Sequence, residues 1–393
     1  MITPKFQHSP HFQQFWQQGN GQELLVQAQV QPNAEIFSRY SPLYHSVDEL
    51  GDEVVRQTYH RMPFKEAEKL ISSALQNPTA ETPEALTTML QQMRALPQWY
   101  QPELAKAGAR LCMRAGTNAL IILRDFSLMG GYDFANLAKP LVMTGALKKG
   151  AVKRLKDTLE FWVHVTREDA QQNPRTFELL VRTRLMHSYA RLEIRKRLPD
   201  WNYEAWGEPI NLWDMIATYT GFSLVFMQGL KKLGLHISAT EEKGLFHLWK
   251  HIGYQLGIPA AFIPEDRQTA TQQFYWWATL QDHADADAAQ LARALLDENM
   301  ENTIYKYRFQ RSMLRNLHQS MNWFLLDPEV NRRLEIPKPA APFRVFPRLI
   351  KAANRVSQKV YALDNPVKYE KLVQIGNEQQ MKVLADYLEH TPA

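Results

Sequence analysis

Cysteine is almost absent from this chain of 393 residues: Cys112 stands alone. No internal disulfide can form, and neither a paired-cysteine haem tether nor a cysteine-ligated iron–sulfur cluster is available. Long apolar runs are missing too. A membrane span needs about 18 consecutive apolar residues, and the nearest approach, Ala119 to Leu123, is far shorter. The opening Met-Ile-Thr-Pro-Lys-Phe-Gln-His turns Gln-rich without an apolar stretch or a twin arginine, so export is not expected and a cytoplasmic location is. Strand-like alternation never extends beyond a few residues, and no internal repeat appears. The net charge of +5 is too small for a nucleic-acid partner, and the basic residues are not interleaved with aromatics as a binding module requires.

What remains is helical and apolar enough to build a large interior: 45% of residues are hydrophobic and 11% aromatic. Thr82-Pro83-Glu84 and Gln101-Pro102-Glu103 read as helix starts, with proline in the first turn and an acid beside the positive end of the dipole. Asn211 precedes a helix stopping at Gly234, and Ser238 with Glu241 reads as a capping box for one ending near Gly257. The expected class is mainly α. We expect an N-terminal helical extension over 1–95, a core over 96–335, and a tail over 336–393 that begins with a proline-rich hinge, Pro337 to Pro342. The tail's basic, apolar-interspersed stretch Phe343 to Leu363 suggests peripheral contact with an anionic membrane, a solvated surface helix being the alternative. Oligomeric state is not legible.

The most informative stretch runs from Val181 to Pro209. On a helix over 178–198, His187 shares a face with Leu180, Thr183, Ala190 and Ile194, flanked by Arg184 and Arg191. Small Thr183 and Ala190 leave room for a flat macrocycle, neutral imidazole can ligate haem iron, and guanidinium groups can hold propionates. The residues alone leave a hydrogen-bonded core histidine as the alternative. Charge supports a local anion: positions 148–197 hold 13 Lys and Arg against 6 Asp and Glu. Other constellations read as structural. His247 and His251 have zinc spacing but no third ligand nearby; Asp282-His283-x-Asp285-x-Asp287 lacks a calcium-loop glycine and suits helix capping; Phe274-Tyr275-Trp276-Trp277 reads as core, a channel lining being the alternative.

A wider pattern adds to this. In order come Leu96-Pro97-x-Trp99, Ser127-Leu128-x-Gly130-Gly131-Tyr132, Leu141-x-x-Thr144-Gly145, Arg154-x-x-x-Thr158, the His187 segment, Trp206-Gly207-x-Pro209-Ile210-Asn211, Gly229-Leu230-x-x-Leu233-Gly234 and Leu248-Trp249-x-x-Ile252-Gly253. This succession resembles the family of latex clearing proteins (rubber oxygenases) and endoplasmic-reticulum-bound oxygenases, which share a haem b core. The resemblance implies a globin-like helical haem-binding core with added terminal helices. It implies haem b as cofactor with His187 on iron, Arg154 and Thr158 handling dioxygen above it, and oxidative attack on a C=C bond of an apolar, isoprenoid or lipid-like substrate. Where the family has a distal lysine before the threonine, this chain has Asp157, so His164 becomes the expected substitute ligand. The family's upstream acid has no counterpart over 134–153, which contain no Asp or Glu, and Asp157 is the stand-in. A haem-binding sensor or carrier without turnover, or a helical protein that has lost haem, are the readings these departures keep open.

Overall fold

The computed structural model describes residues 2–143, 150–361 and 363–390. Helices account for 74% of the described residues, among which the only strand-type pairing is an isolated bridge between Phe134 and His283. The helices that position the site are α1 (Glu49–Gln57), α2 (Pro102–Arg114), α3 (Thr117–Ile122), α4 (Ala135–Met143), α5 (Ala151–Val165), α6 (Pro174–Arg197), α7 (Leu212–Thr220), α8 (Ala239–Gln255), α9 (Ala286–Glu301), α10 (Arg308–Leu325), α11 (Phe346–Tyr361) and α12 (Pro366–His390).

Their ends follow the capping chemistry of the sequence. Asn211 Oδ1 accepts from the Asp214 amide, and Ser238 with Glu241 forms the reciprocal capping box that opens α8. Asp285 accepts from the Ala288 amide at the start of α9, which makes that acidic turn a cap. The helix carrying His187 begins earlier than position 178, because Asn173 accepts from the Arg175 amide and Pro174 occupies the first position.

Packing joins segments far apart in sequence. Helices α2 and α8 cross where Gly108 meets Gly244: a Cβ on Gly108 would lie 2.3 Å from the Gly244 carbonyl oxygen, so only glycine permits this approach. Two π-helical stretches, Leu123–Leu128 and Gly221–Val225, continue α3 and α7 and lie side by side. The Ser127 hydroxyl donates to the Gly221 carbonyl between them. One buried apolar cluster extends from Phe12 to Leu384. The expected boundaries at 95 and 335 therefore do not separate independent cores. Trp16 lies within 5.5 Å of Phe274, centroid to centroid, and Gln380 of α12 donates to the carbonyls of Cys112 and Gly116. The sequence reading divided the chain where proline and polar residues cluster, and Ile336 at the second of these breaks is itself buried in the apolar cluster.

Candidate functional site

Helices α5 and α6 form an antiparallel pair. The Thr176 hydroxyl donates to the His164 carbonyl and Arg175 donates to Glu160. Eleven residues along from Thr176, at about 1.5 Å per residue, His187 lies roughly level with the first turns of α5. Thr176, Leu180, Thr183 and His187 share one helical face, so the imidazole is carried on the side that Thr176 turns toward α5. The His187 Nδ1 is fully buried and has no hydrogen-bond partner among the described residues. Burial, then the neighbouring Arg191 charge, lowers its pKa to about 4, so the ring is neutral at physiological pH, the form that ligates metal.

On α5, Arg154 and Thr158 lie one turn apart and line a narrow cavity of about 10 Å³ with Leu128, Tyr132, Ala151, Leu155, Leu291 and Leu295. The Arg154 Nη2 donates to the Tyr132 hydroxyl at 3.1 Å, and no carboxylate pairs with this guanidinium among the described residues. Leucines from α9 and the π-helical stretch line it beside a cation and two hydroxyls, and the space is large enough for one water.

The catalytic-domain model of the ER-bound oxygenase mpaB/B′ and rubber oxygenase family matches residues 120–355. The chain belongs to this family. Its fold is similar to that of latex clearing protein LCP in the closed state, with a TM-score of 0.68, 86% of this chain and 91% of that one covered, and 17% identity. No curated protein matches the sequence.

Within this oxygenase-family fold the expected site residues divide. Arg154 and Thr158 come together in one cavity as expected; His187 occupies the partner helix but does not line that cavity. Arg184 and Arg191 are corrected. Arg184 makes a bidentate pair with Asp48 at 2.7 and 2.8 Å, and Arg191 donates to Asp52 at 2.9 Å and to the Ile210 carbonyl at 3.0 Å. Both guanidiniums are buried against α1 and its N-cap, so their donors are committed to protein acceptors rather than to propionates. Asp157 is exposed beside Lys156 and does not line the cavity. His164 lies in the last turn of α5, among Glu160, Arg175 and Arg167. Ten residues rotate it by about 80° from Arg154, so it shares neither that residue's face nor the cavity. Thr144 and Gly145 of the quoted motif fall outside the described residues.

Three residues matter more than the sequence indicates. Tyr132 belongs to a quoted motif, but only the fold shows its hydroxyl against Arg154. Asp48 and Asp52 come from the region read as an extension, and no local signal ties them to arginines about 140 positions away. His247 and His251 make structural contacts. His247 accepts from the Gln101 amide at 2.8 Å and His251 contacts Gln255 at 3.1 Å, and no group of metal-ligating side chains exists among the described residues. Trp277 donates to Asp214 at 2.8 Å in the core, so the aromatic run is packing.

Proposed function

We propose that this protein is a haem b-dependent oxygenase that acts on a C=C bond of an apolar, isoprenoid or lipid-like substrate. The observation that carries the reading is the buried His187 Nδ1, which has no hydrogen-bond partner among the described residues, in a chain of an oxygenase family. A buried ring nitrogen without a partner is costly in a folded protein, by roughly 1–3 kcal/mol, and a metal bond at this ring would offset that cost. His187 would hold the iron, and the haem, when bound, supplies the redox chemistry with dioxygen.

The chain's own residues do the rest. Arg154 and Thr158 present a cation and a hydroxyl to a space walled by Leu128, Leu155, Leu291 and Leu295. Charge that develops there meets preorganised donors. Tyr132 holds the guanidinium by accepting one of its protons, leaving the other donors of the fork directed by that contact. The leucine walls suit an apolar substrate. The present cavity admits one water, so a macrocycle and substrate enter only as these side chains move apart. Arg184 and Arg191 take no part in holding the cofactor; they fix α6 on α1.

The solvent-facing Asp157 favours one second reading, a haem-binding sensor or carrier without turnover, because no carboxylate lines the cavity among the described residues. Oxygen uptake with unsaturated lipids and terpenoids separates the two. The oxygenase reading predicts uptake that falls roughly 100-fold in Arg154→Ala and in Thr158→Ala, with haem content unchanged. Bound haem without uptake on any olefin selects the carrier.

A further inference from the structure

Helix α11 is amphipathic in the reverse sense. Beside buried Pro347 and the core-packed Ile350, its inward side makes polar contacts: Asn354 donates to the Leu233 carbonyl at 2.9 Å and to Asn118 at 3.0 Å, while Gln358 donates to the Gly234 carbonyl at 2.8 Å and accepts from the His236 amide at 2.6 Å. The apolar stripe points outward. Val345, Leu349, Val356 and Val360 are 45%, 54%, 61% and 61% exposed, and with Ala352 and Ala353 they fall within an arc of about 100° at helical spacing. Arg348, Arg355 and Lys359 occupy the adjoining arc and are exposed. No acidic residue lies between Glu335 and Asp364, and none of the basic side chains in that interval forms an ion pair among the described residues.

We infer that this outward face of α11 is a docking surface for an anionic lipid bilayer. A surface helix normally turns its apolar stripe to the core, as its burial is the main gain on packing. Here polar hydrogen bonds already hold the helix, so the stripe serves no internal contact. Aliphatic side chains of modest size beside a row of basic residues suit insertion to the level of lipid headgroups, with the cations among anionic headgroups. Self-association fits less well, because two copies joined through their stripes would bring their basic rows toward each other. An enzyme that takes an apolar substrate gains from residence where such molecules partition, yet the inference concerns α11 alone and does not depend on haem.

Co-sedimentation of the full chain with vesicles of phosphatidylcholine, with and without phosphatidylserine, tests it. The protein should pellet with the anionic vesicles and be released by salt. Arg355→Gln combined with Lys359→Gln should weaken partition about 25-fold, roughly fivefold per residue, and Val356→Asp combined with Val360→Asp should abolish it. All four side chains are exposed, and an unchanged thermal melt would verify the fold of each variant. Absence of pelleting with anionic vesicles, or pelleting that both variants retain, overturns the inference. So does a concentration-dependent dimer in sedimentation velocity that Val356→Asp with Val360→Asp dissolves, which would make the stripe a self-interface.

Discussion

At the scale of single residues, His187 is the point where cost and use meet. Its Nδ1 is buried without a hydrogen-bond partner among the described residues, an arrangement a core selected for stability alone would avoid. Replacing it with Leu, of similar reach, should stabilise the haem-free protein by roughly 1–3 kcal/mol, read as a rise in the urea midpoint. A loss of stability of that size would show that the ring has a structural role the hydrogen-bond pattern does not reveal. In the sequence, His187 and the Arg154 and Thr158 pair stood out through the family resemblance; spacing alone left a core histidine and a solvated helix face as the readings. The sequence reading misjudged the arginines beside His187 for a physical reason: whether a guanidinium is free or paired depends on what packs against it, and Asp48 and Asp52 arrive from a distant segment. Asp157 and His164 failed at the level of rotation about α5, where a shift of one or two positions turns a side chain out of the cavity.

At the scale of elements, the contact between α1 and α6 sets where His187 stands. Arg191 and Asp52 are both fully buried, and a buried pair broken by removal of one partner leaves an uncompensated charge. Asp52→Asn should therefore cost about 3–5 kcal/mol, measured by chemical denaturation; a cost below about 1 kcal/mol would mean the pair is solvated and dispensable. In α8, burial and then the neighbouring His247 lower the His251 pKa to about 4. The unfolded ring binds a proton below about pH 6.5 while the folded one does not until about pH 4, so stability is full above that window and is lost as pH falls through it. The loss should be on the order of 3 kcal/mol for this group. His251→Gln should flatten the fall of the urea midpoint between pH 6.5 and 4, and an unaltered pH slope in that variant would assign the effect elsewhere. The caps of α7, α8 and α9 were legible in the sequence because capping is local. The two π-helical stretches were not, since they answer to packing between segments about 100 residues apart.

At the scale of the whole molecule, the family match begins at residue 120 and ends at 355, yet the buried cluster reaches from Phe12 to Leu384. Segments outside the matched region supply Asp48 and Asp52 to α6 and Gln380 to the α2 carbonyls. The mainly helical class was readable from periodicity and caps, whereas the unity of the core was not, because contacts between distant segments leave no periodic trace in either one. No helix among the described residues is long and apolar enough to cross a membrane. What all these contacts support, in our account, is one imidazole held ready for iron. The most direct measurement is the absorption spectrum and pyridine haemochrome content of the full chain and of His187→Leu, both expressed with ample haem. We predict stoichiometric haem b in the first and its loss in the second, with the fold retained; a colourless native protein, or a variant that keeps its haem, would contradict the account.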